Sequence, residues 1–154
     1  MANSYIKDLY KRVYSSDFNY SVFNDRMKMQ KCVYLAEQFG LNIGDYCFSW
    51  YKHGPYSQQL QDDMYEENKK PEQTIYYSEY ATSIVNRLSN IVQKSHKDSF
   101  GYSEEQWVEC LASIHYLNRL FYGDKQKVLS ELKMRKPHLN KDSLNDNAYG
   151  LVVG

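Results

Sequence analysis

Side chains able to react with a substrate or hold a charged group lie in four places along the chain. They are His53 at a His-Gly-Pro turn, Cys110 with His115, the acidic group Asp62, Asp63, Glu66 and Glu67, and a basic run near the C-terminus. His53 carries an imidazole that titrates near neutrality, and a turn leaves a side chain accessible. No serine, cysteine or carboxylate stands at a spacing that would make a triad with it, so a packing or turn-stabilising role is expected. Cys110 and His115 are five apart on one predicted helix, about 500° around its axis, and therefore on different faces. The four acids have the hard oxygen chemistry of a calcium or magnesium site, but adjacent acids on an exposed helix read as a solvated face. Cys32, Cys47 and Cys110 are odd in number and widely spaced, which argues against a disulfide framework or a paired-cysteine zinc site. They are expected to be reduced and buried. No catalytic residue, metal or cofactor is expected.

The basic run is denser. Lys125, Lys127, Lys133, Arg135, Lys136, His138 and Lys141 fall within seventeen positions. Helices over 125–135 and 143–149 would frame them in the manner of a helix-turn-helix, with Lys133, Arg135, Lys136 and Lys141 as the phosphate-contacting residues. Nineteen basic and nineteen acidic side chains cancel across the chain, so only a local patch can attract nucleic acid. Sixteen tyrosines outnumber six phenylalanines and two tryptophans. A ring that packs while its hydroxyl seeks a partner suits boundary layers and protein interfaces.

Periodicity supplies the elements that must position these residues. Tyr5, Ile6, Leu9, Tyr10 and Val13 predict a helix over 4–14 with Ser4 as N-cap. A connector follows, and Asn24 or Asp25 is the expected cap of a strong helix carrying Met29, Cys32, Val33, Leu35, Ala36 and Phe39 up to Gly40. The aromatic run 46–51, YCFSWY, favours a short strand or extended segment, and His53-Gly54-Pro55 is expected to break regular structure. Ser57 caps a helix with Leu60 and Met64, and 68–73 is a polar loop. Tyr80, Ile84, Leu88 and Ile91 predict a helix from Ser78 to about residue 94, and the polar SHKDSFG stretch, 95–101, turns the chain. Ser103 and Gln106 form a capping box ahead of Trp107, Leu111, Ile114, Leu117 and Phe121, the longest apolar stripe and an expected central helix. Val128, Leu129 and Leu132 mark the next helix, and Leu144, Ala148 and Leu151 a last one starting at Ser143. The expectation is a mostly α, single compact domain over 1–154, of about six helices with a short extended or strand segment near 46–51. No stretch approaches the roughly 20 apolar residues of a membrane span, and MANSYIKDLYKRVY lacks the apolar core of a leader, so a cytoplasmic location is expected.

KMQKCVYLAEQFG followed by FSWYKHGPYSQQLQDDM resembles the Panacea or SocA-like antitoxin group and its YwgA-like relatives. The matching positions are Lys28, Gln30, Lys31, Tyr34, Leu35 and Ala36, then Trp50, Tyr51, Gly54, Pro55, Tyr56, Ser57 and Leu60. LASIHYL and KPHL further on are similar in style, so the likeness spans about half the chain. The group often has Tyr-Gly-Pro-Val where this chain has His53-Gly54-Pro55-Tyr56. The resemblance implies a helical, cytoplasmic, non-enzymatic domain that binds a protein partner, a toxin or a host factor, or serves as a protease adaptor. On that reading Trp50, Tyr51, His53, Tyr56 and Ser57 form a turn-centred interaction surface. Two alternatives remain: a nucleic-acid-associated protein using the basic run, and a phage-type inhibitor of a host system on the same scaffold. The oligomeric state stays open.

Overall fold

Ile6, Leu9, Tyr10 and Val13 recur at three- and four-residue intervals, and all four are fully buried on the first helix, α1, Tyr5–Tyr14. The computed structural model describes residues 3–94 and 101–153. Among them the chain forms seven α-helices, against about six expected, and one two-stranded antiparallel hairpin. After α1 come α2, Phe23–Gln38; β1, Ser49–Tyr51; β2, Gly54–Tyr56; α3, Gln58–Asn68; and α4, Glu79–Ser89. A π-helical turn, Asn90–Lys94, extends α4, and α5, Glu104–Leu120, α6, Lys125–Arg135, and α7, Asp142–Val153, complete the chain. The expected SHKDSFG turn lies outside the described residues except for Gly101.

Helices α2 and α5 pack against each other at the centre. Helices α1 and α4 cover one side of α2, while α6 and α7 flank α5. The α5 stripe is buried from Trp107 to Leu117, and the Ser103–Gln106 capping box is formed. Helix α2 departs from the one-sided stripe expected of it. Every residue from Met27 to Ala36 is buried, Lys28, Gln30 and Lys31 included, so the helix is enclosed on all sides. It also starts earlier than expected. Val22, and neither Asn24 nor Asp25, occupies the cap position, with its carbonyl accepting from the N–H groups of Asp25 and Arg26. The Asp25 carboxylate instead accepts from the Asn19 N–H at 2.9 Å.

Polar pairs tie the layers together. Lys28 pairs with Glu104 and stands 4.4 Å above the Tyr14 ring, joining α1, α2 and α5. The widened π turn leaves the Ile91 carbonyl free to accept from the fully buried Trp107 indole at 3.2 Å. Between α5 and α7, buried Asn145 accepts from the Tyr102 hydroxyl and donates to the Leu139 carbonyl. Two expectations about exposure are corrected. Cys47 is exposed, since the strand-like run alternates and turns it outward, whereas Cys32 and Cys110 are buried. The acidic group is not one solvated face: Glu67 is buried and pairs with Lys70 at 3.4 Å, and Asp63 accepts from the Tyr46 hydroxyl at 2.5 Å.

Candidate functional site

The expected strand is present, but the Gly-Pro step does not break it. Gly54-Pro55-Tyr56 is itself the second strand, with Ser49 opposite Tyr56, Trp50 opposite Pro55 and Tyr51 opposite Gly54. Lys52-His53 make the two-residue turn. Only glycine suits position 54. Its φ is +90°, and a Cβ there would lie 2.5 Å from the Ser113 hydroxyl oxygen on α5. The hairpin thus seats directly on α5.

Two residues of α2 hold β2 from the other side. The Gln30 side chain accepts from the Ser57 N–H and donates to the Ser57 carbonyl, both at 2.9 Å, so an amide side chain stands in for a neighbouring strand. Lys31, 1% exposed, donates its ammonium to the Pro55 carbonyl at 2.8 Å. Burial pushes the Lys31 pKa down to about 7, with attraction from Glu109 opposing and Lys136 adding to the fall. Lys136, from beyond α6, reaches across to the turn and donates to the Tyr51 carbonyl at 3.1 Å and to the Lys52 carbonyl. Its pKa is also lowered by burial, against the pull of Glu109. Glu109 on α5, itself buried, anchors this cluster: it lies 3.8 Å from Lys136 and 3.1 Å from the His138 imidazole. Two lysines and one glutamine therefore satisfy the carbonyls of a hairpin with few other partners.

On the outer side the hairpin presents aromatic rings. Tyr51 is 54% exposed and stacks at 5.1 Å from Tyr56; Phe23, 53% exposed, meets His53 edge-on at 5.4 Å. Between them lies a small cleft of about 80 Å³, lined by Phe23, Met27, Tyr51, His53 and Tyr56 over a floor that includes Lys31. A second cleft, on the far side of Phe23 and His53, is lined by Glu105, Glu109 and His138. Burial lowers the His53 pKa, with Lys136, Lys31 and His138 lowering it further and Glu109 opposing. His53 thus faces charged neighbours, not a nucleophile. Among the described residues no three His, Cys, Asp or Glu side chains converge to hold a metal ion.

Of the five residues expected at a turn-centred surface, Tyr51, His53 and Tyr56 are together on the outer face. Trp50 points the opposite way, onto Tyr116 at 5.6 Å and beneath Arg135 and Lys136. Ser57 is buried, and its hydroxyl caps α3 through the Leu60 N–H. The basic run is dispersed. Lys136 is buried in the hairpin clamp, which corrects its expected place on an exposed patch, because the turn carbonyls need a donor there. Lys133 pairs with Asp142 at 3.0 Å, Arg135 with Glu131 at 3.2 Å and Lys125 with Asp146 at 2.7 Å. Lys141 is exposed beside Gly101. Gln30 and Lys31 were visible only as part of the resemblance, and Glu109 and Ser113 not at all. The available signal was their polarity amid the apolar positions of two helices long enough to be central.

The class defined by these elements is a mostly helical domain carrying a clamped β-hairpin. No protein-family model matches the chain, and no curated protein or solved structure matches it. No helix among the described residues is long and apolar enough to cross a membrane.

Proposed function

We propose that the chain is a non-catalytic protein-binding domain, antitoxin-like in action, which engages its partner with the outer face of the hairpin. The observation that carries this reading is the combination of exposure and rigidity at Phe23, Tyr51 and Tyr56. Tyr51 projects to solvent, with Tyr56 half-buried against it, from a hairpin whose backbone is fixed on both sides by Gln30, Lys31 and Lys136, and Phe23 projects beside them from the first turn of α2. Pre-organised aromatic side chains lose little entropy on binding, which is the property of interface hot spots. The cleft between them is far below the roughly 300 Å³ of a small-molecule site. It has room for one partner side chain. The three unpaired cysteines, one of them exposed, fit a reducing, cytoplasmic compartment.

The partner reading is favoured over the nucleic-acid reading because Lys133 and Arg135 are already matched by carboxylates and Lys136 is enclosed. Affinity capture from the native host, with a Phe23→Ala Tyr51→Ala variant as control, tests it. Both rings are exposed, so the variant keeps its fold by circular dichroism. Loss of each ring is expected to weaken a stoichiometric partner by about 30-fold, equivalent to about 2 kcal/mol. Equal capture by both chains, or recovery only of nuclease-sensitive material, overturns the proposal. If the partner is a toxin, its expression alone arrests growth and co-expression with this chain restores it.

A further inference from the structure

Pro55 has no N–H, so its pairing with Trp50 can only be the non-hydrogen-bonded kind. In such a pair both residues turn their backbone groups away from each other. The Pro55 carbonyl accordingly faces α2, where Lys31 donates to it. On the opposite edge, the Trp50 N–H and carbonyl must face away from β2. Phe48, two residues earlier, has the same parity. Among the described residues neither Trp50 nor Phe48 has a backbone hydrogen-bond partner, and β2 is the strand that pairs with β1, while the Trp50 ring lies on Tyr116 of α5. The hairpin therefore has one edge closed by side chains of α2 and one edge open.

From this open edge we infer that β1 is a docking strand, to which an extended acidic segment of the partner protein adds as a third strand. The inference rests on the proposed protein-binding function and specifies its chemistry. A strand laid beside β1, about 4.8 Å away, continues the face on which Phe48 and Trp50 stand. Every second side chain of that segment then falls over the cleft lined by Phe48, Tyr116, Arg119 and Leu120. Arg119 is exposed there, its guanidinium met by the Gln38 amide at 2.8 Å and by no carboxylate among the described residues. Lys52, also exposed and without an ion pair among the described residues, stands at the other end of the strand. Two cations framing an open edge select carboxylates in the incoming segment and disfavour lysines. The same positive field appears in the neighbouring His115, whose pKa falls to about 4 through burial first and then through Arg119 and Arg87.

The test is a titration of the ¹⁵N-labelled full chain with two synthetic probes, an alternating Glu-Val heptapeptide and its Lys-Val counterpart. In the free chain the Trp50 amide is expected to exchange rapidly with solvent. The Glu-Val probe should shift the Phe48, Trp50 and Arg119 signals and slow Trp50 exchange, while the Lys-Val probe should not. Arg119→Glu, at an exposed position, should weaken the Glu-Val probe by about tenfold and gain response to the Lys-Val probe. A Trp50 amide already protected in the free chain, equal response to both probes, or no response overturns the inference. Concentration-dependent shifts of β1 without any probe overturn it in favour of edge-to-edge pairing between copies. Capture of the native partner that survives Arg119→Glu but is lost in Phe23→Ala Tyr51→Ala overturns the docking strand while leaving the protein-binding function standing.

Discussion

Lysines serve opposite ends in two regions of this molecule. Around the hairpin, Lys31 and Lys136 are buried and spend their ammonium groups on backbone carbonyls. On α6, Lys125 and Lys133 stay in solvent and pair with acids of α7. The difference lies in what each region lacks. A three-residue strand has too few ladder bonds to satisfy itself and draws on side chains for the rest, whereas α6 and α7 satisfy their own backbones and leave their cations to the surface. Charge in the first region shapes the fold; in the second it decorates it.

Substitutions at the clamp should break this contrast most visibly. Gln30→Leu leaves the buried Ser57 N–H unpaired, its carbonyl still accepting from the Gln61 N–H at 3.1 Å, and a loss of about 1–3 kcal/mol in chemical denaturation is expected. Gly54→Ala forces a Cβ against Ser113 at positive φ and should cost about 2–3 kcal/mol. Because the Ser113 hydroxyl has no hydrogen-bond partner among the described residues, Ser113→Ala should be neutral or slightly stabilising alone, and combined with Gly54→Ala should recover part of the loss. An additive double variant would show that strain at φ, and not crowding by Ser113, dominates.

Acidity distinguishes the two kinds of lysine without any change of shape. The folded pKa of Lys31 is depressed from 10.5 to about 7, so between these values the unfolded chain holds a proton that the folded chain does not. Stability from this group is complete above about pH 10.5 and is lost as pH falls towards about 7, below which its effect is constant. Lys31→Met removes that dependence. The wild type should gain stability relative to the variant from pH 7 to pH 10, and a flat difference would mean the ammonium is solvated. At the small end, Lys133→Gln breaks an exposed pair with Asp142 and should change the unfolding free energy by less than about 0.5 kcal/mol.

How far each region was legible in the sequence follows from the same contrast. The stripe of α5, Ile6, Leu9, Tyr10 and Val13 of α1, Ile84 and Leu88 of α4, the Ser57 cap and the Ser103–Gln106 box follow local rules and stand where spacing places them, whereas Tyr5 and Tyr80, expected on those stripes, are exposed. The short strand was legible as an aromatic run, but Pro55 disguised its partner. Proline is tolerated at a strand position whose N–H has no ladder duty, and only the pairing reveals that. Lys31 and Lys136 are 105 positions apart, and nothing local shows that both clamp one hairpin. Lys136 read as surface because a lysine among lysines usually is. Its burial is a tertiary event, imposed by the Tyr51 and Lys52 carbonyls that it meets.

The two tryptophans sit in opposite surroundings, and that gives the molecule two built-in optical reporters. Trp107, sealed in the core with its indole bound to the π turn, should emit in the blue and resist collisional quenchers until the helices separate. Trp50, half-buried under Arg135 beside the open strand, should emit further to the red and respond to any segment that covers that edge. A single emission spectrum, decomposed into its blue and red parts, can therefore follow unfolding of the helical centre and occupancy of the hairpin as separate events in one unlabelled sample.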